Sequence, residues 1–219
     1  MLVRLAQNNP QIRKLDLKNY DKFTISLEGI YAMLSKLKRL KKLACDRIVW
    51  KGLKRMMSID SINSLEELHV SHLSISSKKM TNIARSLKHL SHIILENARL
   101  FDLVVEGTLL VNLTHFEASK CVLLNFAVFK NCQKLKSLDL SDSVVNVQST
   151  QSIHFWKDEN FMFAEGTDYV EEVNLTRFVE RKHFLGVDMP NRIPTIFKQL
   201  KFLHFLRKIN LSDCRLYTL

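Results

Sequence analysis

Three histidines, His69, His92 and His115, recur at matching places along the chain, with Glu67, Glu96 and Glu117 beside them. Imidazoles and carboxylates so arranged offer two chemistries. They could share a zinc ion, or form a contact patch whose charge changes at about pH 6.5. The plainer reading is a set of ordinary surface histidines. Cys45, Cys121, Cys132 and Cys214 are 76, 11 and 82 residues apart, which matches no zinc spacing. Buried free thiols are expected of them. No H-E-x-x-H, G-x-S-x-G or G-x-x-x-x-G-K occurs. Five glycines leave little from which to build a phosphate cradle. No catalytic residue, cofactor or metal is therefore assigned.

Charge is the next candidate. The formal charge is +11. Residues 1–55 carry 14 basic and 4 acidic side chains, the remainder 19 and 18. The basic run comprises Lys36, Lys38, Arg39, Lys41, Lys42, Arg47, Lys51, Lys54 and Arg55. It fits a solvated rim, a site for an acidic protein, a nuclear-localisation signal, or a non-specific hold on nucleic acid. No aromatic stacking platform accompanies the run, which disfavours the last.

These residues are positioned by a phrase clearest at Leu135–Ser143, L-K-S-L-D-L-S-D-S. Apolar residues at its fourth and sixth places alternate with polar ones, the period of a half-buried strand. This is the strand segment of a leucine-rich repeat, L-x-x-L-x-L-x-x-N/C. Copies begin at Ile12, Leu40, Leu65, Leu90, Leu113, Leu135, Val170 and Leu206, giving spacings of 28, 25, 25, 23, 22, 35 and 36. The last two exceed the usual range of about 20–29, so each carries an insertion or hides a degenerate repeat. One unit cannot bury enough apolar surface to fold alone, so the copies must stack.

The expected fold is thus an α/β solenoid, a curved horseshoe with parallel strands on the concave face and helices on the convex face. It forms one domain, residues 1–219, of about eight repeats. Helices are predicted within Met1–Gln11, at Ser26–Leu37 with Ser26 as N-cap, at Lys51–Ile59 and at Ser77–Leu87. Further helical segments are predicted at Phe101–Leu110, Asn125–Cys132 and Thr195–Leu203. The segment 148–167, with Phe155, Trp156, Phe161, Met162 and Phe163, reads as a convex-side helix or an exposed docking patch. The array begins and ends in mid-repeat, so a piece of a longer array is expected. With no long apolar run and no signal peptide, a cytoplasmic or nuclear protein is expected.

In such a sheet the variable strand positions form columns. The third places supply Lys14, Lys42, Glu67, His92, His115, Glu172 and Lys208, and the fifth Asp16, His69, Glu117, Asp139, Asn174 and Asn210. A mixed polar face of this kind suits protein recognition better than catalysis, which needs a pocket. The Asn112-Leu-Thr, Asn174-Leu-Thr and Asn210-Leu-Ser triplets match glycosylation acceptors. The last two lie inside strands and arise from the repeat itself.

Phe129–Ser141 (FKNCQKLKSLDLS), Leu206–Leu216 (LRKINLSDCRL) and Leu5–Leu17 (LAQNNPQIRKLDL) resemble the repeats of F-box/leucine-rich-repeat proteins, within the ribonuclease-inhibitor-like superfamily. Cys121 and Cys214 match the ninth-place cysteine of that repeat type, whereas Ile48, Leu73, Ala98, Ser143 and Phe178 depart from it. The resemblance implies that the repeats select a protein substrate while an F-box recruits a cullin-based ubiquitin ligase. No F-box is visible, and it would have to precede Met1. Two alternatives stay open: a stand-alone scaffold or inhibitor, and an RNA-associated adaptor using the basic first repeats.

Overall fold

The structure, a computed structural model, describes residues 2–18, 26–46, 62–148, 167–184, 187–188 and 199–214. All eight phrases form strands: β1 (Lys14–Leu17), β2 (Lys42–Cys45), β3 (Glu67–Ser71), β5 (His92–Glu96), β7 (His115–Ser119), β9 (Ser137–Asp139), β11 (Glu172–Asn174) and β14 (Lys208–Asn210). They make one sheet in the order β1-β2-β3-β5-β7-β9-β11-β14. Every pairing is parallel and aligns the phrases place for place. β9 pairs directly with β11, and β11 with β14, so the long spacings hold insertions between neighbours rather than hidden strands.

The alternation of the phrase explains this sheet. Fourth-place Leu43, Leu68, Ile93, Phe116, Leu138 and Val173 are at most 2 % exposed, and first-place Leu40, Leu65, Leu90, Leu113, Leu135 and Val170 are fully buried or nearly so. The six phrases from Leu40 to Val170 therefore each drive an apolar row into a core shared with their neighbours, while in the last phrase Ile209 stays 39% exposed. The eighth place then turns the chain. His72, Asn97, Lys120, Asp142, Arg177 and Asp213 all have φ between 51° and 58°. This left-handed conformation lets the His72, Asn97, Lys120, Asp142 and Arg177 N–H groups bond the next repeat, at 2.7–3.2 Å.

Behind the sheet the early repeats carry helices: α1 (Leu2–Asn8), α2 (Leu27–Leu34) and α3 (Ser77–Ser86). Ser26 caps α2 as expected, its Oγ accepting from the Gly29 N–H at 3.1 Å. α3 turns Met80, Ile83 and Ala84 inward. The far layer also contains a second sheet of β4 (Ser74–Ser76), β6 (Arg99–Glu106), β8 (Val122–Lys130), β10 (Val144–Gln148), β12 (Val179–Phe184) and β13 (Val187–Asp188). Its order is β13-β12-β10-β8-β6-β4, parallel except for β12–β13. The stretches 101–110 and 125–132 are thus mainly strand, not helix. Near the C-terminal end a 3-10 turn, Leu200–Phe202, stands within the range expected to be helical. The helix expected at 51–59 and the aromatic segment of 149–166 lie outside the described residues.

The two layers meet in one core. Phe116 of β7 packs edge-on against Phe129 of β8, with centroids 5.0 Å apart and planes at 78°. Gly107 follows β6 where the chain passes the backbone of Asn131 and Cys132, and its N–H donates to the Lys130 carbonyl at 2.8 Å.

Candidate recognition face

The third-place column exists in space as a continuous row. Lys14, Lys42, Glu67, His92, His115, Ser137, Glu172 and Lys208 are successive register partners. The fifth-place row, from Asp16 through His69, Ile94, Glu117, Asp139 and Asn174 to Asn210, runs beside it. Lys42 pairs with Glu67 at 2.5 Å, and Lys208 with Glu172 at 3.5 Å. The expected site residues therefore share one sheet face, although pairing partly neutralises the ends of the third-place row.

The histidines sit at the centre. His92 and His115 stack, with centroids 4.2 Å apart and planes 6° apart. The residue before each one fixes its ring: Ser91 Oγ lies 2.9 Å from His92 Nδ1, and Thr114 Oγ1 lies 2.8 Å from His115 Nδ1. Each hydroxyl also donates to a neighbouring backbone carbonyl, Ser91 to Glu66 and Thr114 to Ser91, both at 3.0 Å. A hydroxyl has one proton to give. When the hydroxyl gives its proton to the carbonyl, Nδ1 is the donor and Nε2 is left as an acceptor. Ser91 and Thr114 were not singled out from sequence, and a hydroxyl residue directly before each histidine was the available signal.

His69 stands apart from that stack, its Nε2 lying 3.3 Å from Glu96 Oε2. Glu96 also meets Lys120 at 3.3 Å. Burial pushes the Glu96 carboxyl up, but Lys120 and His69 outweigh it and the net shift is downward. Burial lowers the His92 pKa, with His115 and Lys42 adding to the effect and Glu67 opposing it. Among the described residues, no group of three or more His, Cys, Asp or Glu is placed to hold a metal ion.

Several fifth-place residues also fix the strand exits. Asp16 accepts from the Lys18 N–H at 2.9 Å, Asp139 from Ser141 at 2.8 Å, Asn174 from Thr176 at 3.1 Å and Asn210 from Ser212 at 3.0 Å. The Thr176 and Ser212 hydroxyls donate to the same two Asn oxygens, each at 2.7 Å. This is the structural meaning of the Asn-Leu-Thr and Asn-Leu-Ser triplets at Asn174 and Asn210: the Asn closes the turn that its Thr or Ser also caps. Glu117 accepts from the Ser119 hydroxyl at 2.7 Å, the same device with a longer arm.

The ninth place holds the repeats together from inside. Cys121 Sγ donates to the Leu95 carbonyl at 3.2 Å, Ser143 Oγ to Ala118 at 2.5 Å and Cys214 Sγ to Leu175 at 2.6 Å. Each acceptor is the sixth-place carbonyl of the preceding repeat. Ser143, an exception to the cysteine pattern in sequence, makes the same bond. Burial drives the Cys45 thiol far up, and pushes the Cys121 and Cys132 thiols up to about 12. They serve as packing and hydrogen-bonding groups.

The basic run divides. Lys41 pairs with Glu66 at 2.8 Å, and Lys42 with Glu67 on the sheet face. Lys36, Lys38 and Arg39 are exposed on the turns before β2, while Arg47, Lys51, Lys54 and Arg55 lie outside the described residues. A shallow groove of about 180 Å³ crosses the sheet face between Ser137, Asp139, Glu172, Asn174, Lys208 and Asn210.

Eight phrase strands in one in-register parallel sheet, closed by a left-handed eighth residue and a buried ninth, define a leucine-rich-repeat solenoid. Among solved structures the chain is similar to a leucine-rich-repeat protein of Leptospira interrogans. The identity is 16%, covering 100% of this chain and 59% of that one, with a TM-score of 0.48. It is also similar to TLR13 in its complex with ssRNA13, at 15% identity over 94% of this chain and 40% of that one, with a TM-score of 0.28. The chain therefore spans well under two thirds of the length of either. No protein-family model and no curated protein matches it. Among the described residues, no helix is long and apolar enough to cross a membrane.

Proposed function

We propose that this solenoid is a recognition module that holds a protein partner on the solvent face of its eight-stranded sheet. The observation that carries the reading is the central patch. His92 and His115 are stacked, tied to the backbone through Ser91 and Thr114, and flanked by Ile94, Glu67 and Glu117. Side chains held in this way lose little freedom on binding. The groove among Ser137, Asp139, Glu172, Asn174, Lys208 and Asn210 is about 180 Å³, below the roughly 300–1,000 Å³ of small-molecule sites, and the mixed polar rows around it suit a macromolecule.

The test compares two variants as affinity baits. Ile94→Arg alters the middle of the sheet face, and Val104→Arg alters the far layer. A stoichiometric partner lost with the first and kept with the second supports the proposal; the reverse pattern overturns it. In its narrower form the partner is a substrate of a cullin-based ubiquitin ligase, and co-purification of a cullin adaptor with the product of a longer transcript that encodes an F-box supports that form. A stoichiometric partner without such an adaptor makes the solenoid a scaffold or inhibitor.

A further inference from the structure

A second surface is built by the edge at which the strands enter the sheet. It is continuous. The second-place N–H groups of Lys41, Glu66, Ser91, Thr114, Lys136, Glu171 and Arg207 each bond the second-place carbonyl of the preceding repeat at 2.8 Å. The residues just before the phrases are therefore ranked along one rim, from Arg39 through His89 and Lys134 to Tyr169 and Phe205. Side-chain contacts confirm this order, since Asn112 Nδ2 donates to the Lys88 carbonyl at 3.4 Å and Lys134 Nζ to Asn112 Oδ1 at 3.3 Å.

Two features of the rim point to a ligand. The first is unbalanced positive charge. Glu66 is engaged by Lys41 at 2.8 Å, and Glu171 by Lys136 at 3.3 Å and Arg207 at 3.9 Å. Among the described residues, no carboxylate lies within ion-pair reach of Lys38, Arg39, Lys88 or Lys134, all of them exposed. The second is aromatic. Tyr169 and Phe205 stack with centroids 5.2 Å apart and planes at 12°, yet stay 48% and 49% exposed. Two large rings held parallel in water, at the end of a row of exposed cations, form the pairing that sequence alone did not bring together.

We propose that this strand-entry edge binds single-stranded nucleic acid, with phosphates following Lys38, Arg39, Lys88 and Lys134 and a base stacking on the Tyr169–Phe205 platform. Cations neutralise the backbone without regard to sequence, and an exposed ring accepts the π-face of any base. An acidic protein segment would use the cations but would have no use for the rings. At about 4.8 Å per strand, the row from Arg39 to Phe205 is roughly 30 Å long, room for several nucleotides. This surface is distinct from the sheet face, so the two proposals stand or fall separately.

The test is fluorescence anisotropy of a labelled single-stranded RNA of mixed sequence with the full chain. Two double variants are compared, Tyr169→Ala with Phe205→Ala, and Lys88→Glu with Lys134→Glu. All four positions are exposed, and circular dichroism checks that each variant folds. Wild-type affinity is expected to fall tenfold or more between roughly 50 and 200 mM salt. The aromatic variant should bind about tenfold more weakly with an unchanged salt slope, and the charge variant should bind more weakly with a shallower slope. Tyr169→Phe with Phe205→Tyr should restore binding. Absence of RNA binding at low salt overturns the proposal. So does RNA binding that the aromatic variant leaves intact. Displacement of RNA by polyglutamate from wild type and aromatic variant alike overturns it in favour of an acidic protein ligand.

Discussion

The imidazole of His92 lies flat on that of His115, centroids 4.2 Å apart, and both rings are fixed at Nδ1 by the hydroxyl of the preceding residue. Burial, His115 and Lys42 lower the His92 pKa against the opposing pull of Glu67. A histidine whose folded pKa lies below its unfolded value takes up its proton more readily once unfolded. Its contribution to stability is complete above an unfolded pKa of about 6.5 and declines as pH falls through that value. Between about pH 7.5 and about pH 5.5, the melting temperature of the wild type should drop further than that of His92→Gln. Equal drops would show that the stack carries no proton linkage.

Ser143 is expected to behave as an inter-repeat tie. Its hydroxyl donates to the Ala118 carbonyl and accepts from the Cys121 N–H at 2.9 Å, all within the core. Ser143→Ala leaves two buried backbone groups short of a partner and should cost about 1–3 kcal/mol in urea unfolding. Ser143→Cys, which supplies the group that Cys121 uses one repeat earlier, should recover much of that loss. No recovery would show that a thiol cannot replace the hydroxyl at this place.

The eighth-place turn should discriminate sharply between side chains. His72 sits exposed at φ 58°. A β-branched residue there is strained, so His72→Val should cost about 1–2 kcal/mol. His72→Gly should be neutral or stabilise by up to about 1 kcal/mol, the relief of strain being set against the entropy glycine loses on folding. Thermal unfolding of the two variants measures the difference, and equal stabilities would contradict the left-handed turn.

The cysteines should separate by reactivity. Cys45, Cys121 and Cys132 are buried with raised pKa values, whereas Cys214 is only partly buried. In the native protein a thiol reagent is expected to modify Cys214 first, and all four should react only after unfolding. Rapid native labelling of Cys121 would contradict the ninth-place arrangement.

The strand sheet was legible because its signal repeats. Each phrase puts Leu or an equivalent at the first, fourth and sixth places, and a period of two fixes the register of a half-buried strand. The far layer was not legible, and β6 shows why. Asp102, at φ 43°, sits at a break in the pairing with β8. That irregularity sends Leu100 and Leu103 into the same core, both fully buried. Inward residues three apart imitate a helix, so a bulged strand reads as helical. β8 carries the same disguise, with Leu123 and Ala127 buried four apart. The site was half legible. The columns followed from the period, but the tie from Thr114 to His115 and the meeting of Glu96 with His69 and Lys120 depend on side-chain reach across neighbouring strands. Likewise Tyr169 and Phe205 are 36 residues apart in sequence and become neighbours because β11 and β14, the strands that follow them, pair directly.

The central claim is that recognition happens on the sheet face. A photo-crosslinking amino acid placed at Ile94, between the histidine row and Glu117, tests it directly against the same group placed at Val104 on the far layer. The account predicts a defined protein adduct in cells from position 94 and none from position 104. An adduct formed only from position 104, or equally from both, would contradict it.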